Sequence, residues 1–342
     1  IGAVFAELAL PLSDTLTLQV AARHEDYGDI DSTDPKVTML WRPSDTLSVR
    51  ASVGTAFRAP SLFQSFGTQT TLTELIDPLI GTPQFFPVRT EPNPSGEPLQ
   101  PEEADVGNLG VTWSPLDALE LSLDYWSFDY TNVIIEQSAQ AILNAAAAGD
   151  PAAASQVVRD PASGLLLRVI SFYDNASSLD TDGFDFRIAY DLPTAGASTY
   201  TFGAEGTYVS SYDIVDPQAG AIDGAGKRNY TNFATSAPQW RANAFLNWRL
   251  DNHLVDVFVR YIDSYLDDQV AAGEPFRKIG SWTTTDLRYG YRFRDGQGPT
   301  LSIGAINVFD EDPPHVHTNG GYDSKVHDPR GRAVYARASF DF

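Results

Sequence analysis

Along most of the chain apolar and polar side chains alternate one by one. In "LSVRASVGTAFR" (47–58), Leu47, Val49, Ala51, Val53 and Phe57 share one parity, broken only by Thr55, and Ser48, Arg50, Ser52, Gly54 and Arg58 share the other. Successive side chains of a strand point to opposite faces, so this segment predicts a strand with one apolar and one polar face. The division recurs in Leu119, Leu121, Leu123 and Tyr125 against Glu120, Ser122 and Asp124, and in Ala242, Ala244, Leu246, Trp248 and Leu250 against Arg241, Asn243, Asn247 and Arg249. It recurs in Val255, Val257, Val259 and Tyr261 against Asp256 and Arg260, and finally in Val334, Ala336, Ala338, Phe340 and Phe342 against Arg337, Ser339 and Asp341. Charges keep to one parity. The strands run to about twice the 5 or 6 residues usual in soluble sheets. An apolar face of Ala, Val and Leu tipped by Tyr and Trp matches the lipid-facing band and aromatic girdles of a membrane barrel, where an outward charge costs about 2 to 4 kcal/mol.

The breaks between strands alternate in length. "PLSDT" (11–15), "RPSDT" (42–46), "SPLDA" (114–118), "LPTAGAS" (192–198), "DNH" (251–253) and "RDGQGP" (294–299) are compact turns of Pro, Asp and Gly. Long connections occupy 59–103, 133–178, 213–236, 268–280 and 311–330. Bacterial barrels carry short turns on the periplasmic side and long loops outside, so the alternation also gives an orientation. Strands are expected near 3–11, 15–27, 35–42, 46–58, 104–114, 118–132, 179–192, 198–213, 237–250, 253–267, 280–294, 300–310 and 331–342, about thirteen in an all-β, antiparallel transmembrane barrel segment. An odd number cannot close antiparallel onto itself, which implies strands before Ile1 or one strand miscounted. At Ala59-Pro60 the proline removes a ladder donor and biases its neighbour away from helix, marking a barrel rim. Within the long connections, "EQSAQAILNAAAAGDPAAASQVVRD" (136–160) predicts two short helices, the first stopped by Gly149 and the second capped by Asp150 with Pro151 in its first turn. They are expected in an extracellular loop, as a lid over the barrel mouth or as simple loop packing.

Composition narrows the classes. The 342 residues, 42% apolar and 12% aromatic, suffice for one large domain or two ordinary ones. Mean hydropathy is negative, and no run of about 18 apolar residues occurs, which excludes a transmembrane helix but not barrel strands of about 9 to 11 residues. The lack of Cys and the single Met39 fit an exported chain and also many cytosolic ones. The chain starts directly in an alternating strand and reads as a fragment or a mature internal segment. A formal net charge of −22 repels nucleic-acid phosphates and excludes nonspecific DNA or RNA binding. The same acidity suits hydrated outer loops that divalent cations bridge to lipopolysaccharide.

Four pieces in order, "SVGTAFRAPS", "LQPEEADVGNLGVTWSP", "INVFDEDPP" and the terminal "DPRGRAVYARASFDF", resemble motifs of the TonB-dependent outer-membrane receptors, a likeness extending from about residue 15 to the last residue. They fall at the strand and loop positions already assigned. The resemblance implies a barrel of about 22 strands with a plugged lumen. With the last strand here as the final one, residues 1–342 are the C-terminal portion of one barrel domain, the plug and about nine strands lying outside it. It further implies a bacterial outer-membrane protein that is not an enzyme and needs no cofactor. Such a protein takes up a ferric siderophore, cobalamin or oligosaccharide with energy from the inner-membrane TonB complex, delivered through the plug. The family-motif positions are Phe57, Arg58, Pro60, Asn307, Phe309, Asp310, Pro313, Gly331, Arg332 and Phe342. Phe342, with Phe340 and Ala338, also looks like the C-terminal signal read by the barrel assembly machinery, or equally a girdle aromatic.

No catalytic constellation emerges, since His24, His253, His315, His317 and His327 are joined by no Cys and no nucleophile motif. His315-x-His317 lets two imidazoles converge on a metal, with Asp310, Glu311 and Asp312 as oxygen ligands. The plainer reading is a polar loop that contacts substrate or nothing, and no metal site is assigned. Asp29, Asp31 and Asp34 in "DIDSTDP" faintly resemble a Ca²⁺ loop but lack the Gly and Glu of an EF-hand, so a solvated acidic loop is expected. Arg50, Arg58, Arg241, Arg249, Arg260, Arg288, Arg292 and Arg337 face Asp124, Asp256, Asp286 and Asp341, and pairing within the wall or to the plug is expected, because buried charges need partners. Ligand contacts are expected at strand tops and in long loops, from Arg58, Phe63, Phe66, Trp282, His315, His317 and Tyr322, with Phe85 and Phe86 adding aromatic surface. Readings from other classes are a passive porin-like or structural outer-membrane barrel, and a soluble β-sandwich adhesin.

Overall fold

A computed structural model describes residues 2–340 except 29, 96, 176–177, 217–219, 233, 271–272, 294–297 and 319. Asp29, Asp341 and Phe342 therefore lie outside the described residues. The chain opens with strands β1 (Gly2–Pro11), β2 (Leu16–Asp26), β3 (Asp31–Ser44) and β4 (Leu47–Arg58). The first long connection holds α1 (Leu62–Phe66), β5 (Gln69–Ile76) and β6 (Pro83–Glu91). After β7 (Glu102–Leu116) and β8 (Leu119–Thr131), the second holds β9 (Ile134–Glu136), α2 (Ala139–Ala147), α3 (Pro151–Gln156), β10 (Val157–Arg159) and β11 (Leu166–Asn175). There follow β12 (Ser178–Leu192), β13 (Ser198–Asp216), β14 (Gly220–Asp223), β15 (Trp240–Leu250), β16 (His253–Ile262), β17 (Tyr265–Asp267), β18 (Arg277–Ile279), β19 (Trp282–Arg292), β20 (Thr300–Ile306) and β21 (Ala333–Ser339).

The main sheet has 14 strands, paired in the order β1-β2-β3-β4-β7-β8-β12-β13-β15-β16-β19-β20-β21, with β14 on β13. The thirteen strands of that path are those the alternation predicts, each pair antiparallel. Among the described residues β1 and β21 each pair on one side only. Register confirms the parity assignment: Phe202, Leu246, Val257, Leu287, Ala305 and Val334 are directly opposite one another across six strands. On the other face Asn247, Asp256, Arg288 and Gly304 form the adjoining row. Clefts of about 750 and 590 Å³ are lined mainly from the polar parity, so the sheet curves toward its polar face. No described helix is long and apolar enough to cross a membrane, which says nothing of strands.

The apolar face has chemical edges. Toward the short turns it carries Trp41, Trp113, Tyr200, Trp248 and Tyr289, and toward the long loops Phe57, Tyr208, Trp240 and Tyr261, where Tyr208 and Trp240 pack at 4.6 Å and Tyr27 and Phe57 at 5.8 Å. Trp240 and Trp248 stand about 26 Å apart along one strand. At the long-loop end of this same face, Asp105, Asp129, Asp180 and Asp213 occupy one row of directly paired positions. Charge on that face is costly within hydrocarbon, so the row marks where the strands leave the apolar band.

The long connections are more structured than their sequence suggests. β5, β6, β9, β10 and β11 form a separate five-stranded sheet, with β6 and β11 parallel. The two predicted helices are present: α2 begins where Ser138 Oγ accepts from Ala141 N–H at 3.3 Å, and α3 where Asp150 Oδ1 accepts from Ala152 N–H at 2.8 Å. They cover one face of that sheet, burying Leu75, Phe86, Val88, Ile142, Leu143 and Val169. The alternation in β5 and β6 goes unnoticed in sequence because their buried partner is another connection, about seventy residues downstream.

Val257→Arg, on the apolar face, is expected to destabilise the folded barrel by about 2 to 4 kcal/mol, and Ser302→Arg, on the polar face, by far less. Urea unfolding in bilayers measures both, and equal costs would refute the assignment of faces.

Candidate functional site

The polar face and the long-loop end are the two places where charged and aromatic side chains gather. On the wall, Arg50 donates from Nε to Asp124 Oδ1 at 2.8 Å and from Nη1 to Thr112 Oγ1 at 3.0 Å. Gly110 lies between these side chains, and a Cβ there would collide with the Asp124 carboxylate. Arg260 pairs with Asp286 at 2.8 Å and Arg288 with Asp256 at 2.6 Å. Arg58, a predicted ligand contact, pairs with Glu102, whose Oε1 also accepts from Ile134 N–H at 2.7 Å, which ties β4, β7 and the second connection together at the rim. Arg187, Arg241, Arg249 and Arg337, on the same concave face, make no ion pair or side-chain hydrogen bond among the described residues, with Arg187 directly opposite Glu205 in the ladder.

At the long-loop end the five-stranded sheet is locked by Asp77, 1% exposed, which accepts from both terminal nitrogens of Arg159 at 2.7 and 2.8 Å. The Arg159 hydrogen bonds hold the Asp77 carboxyl below its ordinary value. This sheet meets the connections from the opposite part of the mouth at Glu74. Its carbonyl accepts from Tyr230 Oη at 2.6 Å, and its Oε1 from Gln269 Nε2 at 3.2 Å. Arg228 stacks on Tyr230 at 5.0 Å and bonds Asp267 at 3.1 Å. Asp268 accepts from Tyr230 N–H, Thr231 N–H and Thr231 Oγ1 at 2.8, 3.0 and 2.7 Å. Burial, with Glu74 next, pushes the Tyr230 phenol up to about 12, so it stays a donor.

A second clasp lies beside it. Asp323 Oδ2 accepts from Tyr265 Oη at 2.8 Å and from Ser236 Oγ at 2.7 Å, joining three separate connections. His327 stacks on Tyr265 at 6.0 Å and meets Trp282 edge-on at 5.5 Å. It is 4% exposed with neither ring nitrogen hydrogen-bonded among the described residues, and burial lowers its pKa against the opposing pull of Asp323.

The predicted site residues are thus dispersed. Trp282 belongs to this clasp, its Nε1 buried without a hydrogen-bond partner among the described residues. Phe63 lies in α1, capped by Ser61 and Gln64, and meets Tyr173 at 6.2 Å, while Phe66 is 75% exposed. His315 and His317 are exposed and Tyr322 is half-buried. Asp31 and Asp34 stand at and within β3, where Asp34 accepts from Ser32 and Thr55 hydroxyls, so the expected acidic loop is largely strand. Among the described residues no three His, Asp or Glu converge as metal ligands. Four of the family-motif positions, Asn307, Asp310, Gly331 and Arg332, do converge. Asn307 and Glu311 exchange hydrogen bonds at 3.0 Å, and Asp310 Oδ1 accepts from Arg332 N–H at 2.6 Å. Asn307, Asp310 and Gly331 have positive φ, and a Cβ on Gly331 would lie 3.0 Å from Asp310 Oδ1. Phe309 points outward, 70% exposed, with Pro313 half-buried nearby in sequence, and Phe57 and Pro60 stand at the rim of β4. Sequence reasoning missed Asp77, Arg228, Asp268 and Asp323. The adjacent acids of "YLDDQ" at a strand top were the available signal.

A family model described as TonB dependent receptor-like, β-barrel matches residues 1–308. No curated protein sequence matches the chain. Among solved structures, the siderophore receptor PirA from Acinetobacter baumannii is 17% identical with a TM-score of 0.67 over 99% of this chain and 45% of that one. The ferric enterobactin receptor PfeA, from Pseudomonas aeruginosa in related structures, is 18% identical in its complex with BCV-L6, with a TM-score of 0.65 over 98% and 44%. The copper transporter OprC is 15% identical with a TM-score of 0.62 over 99% and 47%. The chain spans less than half the length of these structures, and at such identities they show the fold alone.

Removing the carboxylate in Asp77→Ala leaves Arg159 unpaired and is expected to cost the loop sheet about 2 to 4 kcal/mol. Hydrogen exchange in β5, β6 and β11 measures this, and unchanged protection would refute the lock. For His327, the folded value lies below the ordinary 6.5. The clasp is therefore at full strength above that pH and weakens as pH falls through it, because the opened state takes up the proton first. Exchange in residues 311–330, corrected for its intrinsic pH dependence, is expected to show less protection at about pH 5.5 than at about pH 7.5. His327→Phe is expected to abolish the difference.

Proposed function

The chain belongs to the TonB-dependent receptor β-barrel family, and from that premise we propose that it forms part of an outer-membrane receptor that imports a scarce small molecule, energised by the inner-membrane TonB complex. The family's members are bacterial outer-membrane β-barrels, and the apolar face with its two aromatic belts supports contact with membrane lipid. The outward aspartate row at the long-loop end supports a neighbouring lipopolysaccharide layer, since carboxylates directly opposite one another repel unless protons or metal cations intervene.

The choice of cargo rests on one observation, the guanidiniums of Arg187, Arg241, Arg249 and Arg337, which form no ion pair among the described residues, on a concave wall. In a chain of net charge −22 these fixed positive groups favour an anionic cargo entering between the loops. Ferric siderophore chelates have that character and come first; cobalamin and oligosaccharides come after. Siderophore, ferric enterobactin and copper are the cargoes named for structural neighbours. The plug and energy-coupling residues are expected in the part of the protein beyond this chain.

Cells expressing the intact protein are expected to accumulate radiolabelled ferric siderophore only when the inner-membrane energy source is intact. Arg249→Ala with Arg337→Ala is expected to lower affinity for an anionic chelate by about 10-fold or more. Accumulation that survives a protonophore and follows a linear concentration dependence would replace the active importer with a passive pore.

A further inference from the structure

The histidines divide by what their ring nitrogens do. His24 and His253 each engage Nδ1 with a hydroxyl, of Thr33 at 2.9 Å and Tyr289 at 2.8 Å, and His327 is enclosed between aromatic rings. His315 and His317 are exposed and make no side-chain hydrogen bond or ion pair among the described residues. Their recorded contact is with each other, ring centroids 5.2 Å apart and planes at 87°. Between them Val316 is 1% exposed and packs against Tyr265 and Ile279. Its N–H donates to Gly321 carbonyl at 2.9 Å, and its carbonyl accepts from Thr318 N–H at 2.8 Å. A buried, hydrogen-bonded residue thus anchors the backbone while the two flanking imidazoles stand free together.

That spacing suits shared coordination. Imidazole nitrogens bind zinc-class ions at about 2.0 to 2.1 Å, which puts each ring centroid about 3.1 Å from the ion. Two rings at a tetrahedral angle then stand about 5 Å apart, close to the separation found. Glu311 and Asp312 are exposed on the same connection, in an acidic chain that draws cations to its surface. Of the other carboxylates on this connection, Asp310 is engaged with Arg332 and Asp323 with Tyr265 and Ser236. No group of three His, Asp or Glu converges among the described residues, so protein ligation stops at two nitrogens.

We propose that His315 and His317 form a bidentate, open-sided site at the long-loop end for an imidazole-preferring divalent transition metal, Cu²⁺, Ni²⁺ or Zn²⁺. The other coordination positions belong to water or to further ligands the ion carries. The site stands apart from the transport reading, because its occupancy is read as metal binding and not as uptake.

The intact protein, purified in detergent without a histidine tag, is titrated with CuCl₂ alone and followed by electron paramagnetic resonance and calorimetry. One bound Cu²⁺ showing coupling to two imidazole nitrogens is expected. His315→Ala and His317→Ala each should weaken binding by about 10-fold or more. His24→Ala should leave it unchanged. Both loop side chains are exposed, so the variants are expected to keep the slow unboiled mobility of a folded barrel. A wild-type protein that binds no Cu²⁺, a spectrum without nitrogen coupling, or undiminished binding in either loop variant would overturn the site.

Discussion

Inside hydrocarbon a backbone N–H or C=O has no water to turn to, and each one left unpaired costs several kcal/mol. In this chain the neighbouring strand is the partner, across thirteen strands paired in chain order. Antiparallel ladders with short turns at one end satisfy that demand locally, and they fix which parity meets which. Once Leu246 stands opposite Val257 and Val257 opposite Leu287, Asn247, Asp256 and Arg288 are committed to the other face. The polar wall is thus a consequence of backbone pairing together with an apolar solvent on one side.

Charges on that wall then need neighbours. Arg50 with Asp124, Arg260 with Asp286 and Arg288 with Asp256 supply them across strands, and Gly110 leaves the room one of these pairs requires. Such pairs are half-exposed and contribute little to stability. Their structural effect is to neutralise part of the wall, while Arg187, Arg241, Arg249 and Arg337, and the carboxylates of Asp185 and Glu205, form no ion pair among the described residues.

The long-loop end is organised on different terms. Water is available there, so the backbone need not be paired, and order comes from a small apolar core under α2 and α3 and from buried polar contacts. Asp77, Asp268 and Asp323 each collect donors from other segments, and Glu74 joins the loop sheet to the remaining connections. Buried carboxylates with every donor in place give such loops specific positions without much apolar area. The helices are part of a packed loop subdomain at the long-loop end.

The barrel strands were legible because lipid on one face imposes a period of two, and that period is written in single residues such as Val49 and Arg50. Turn chemistry at 42–46 and 251–253 set the boundaries, and Asp150 with Pro151 announced α3 for equally local reasons. Strand ends were read less sharply: the strand expected to 310 stops at Ile306, because Asn307 turns into a left-handed conformation held by Glu311. The candidate site was barely legible. Whether Arg58 meets ligand or Glu102, whether Asp77 is solvated or locked by Arg159, and whether His315 and His317 face each other all depend on residues distant in sequence. Local alternation determined the wall, since its cause is a solvent that acts on each residue separately. Only the tertiary structure decided the mouth, since there the cause is the meeting of connections that no single stretch of sequence contains.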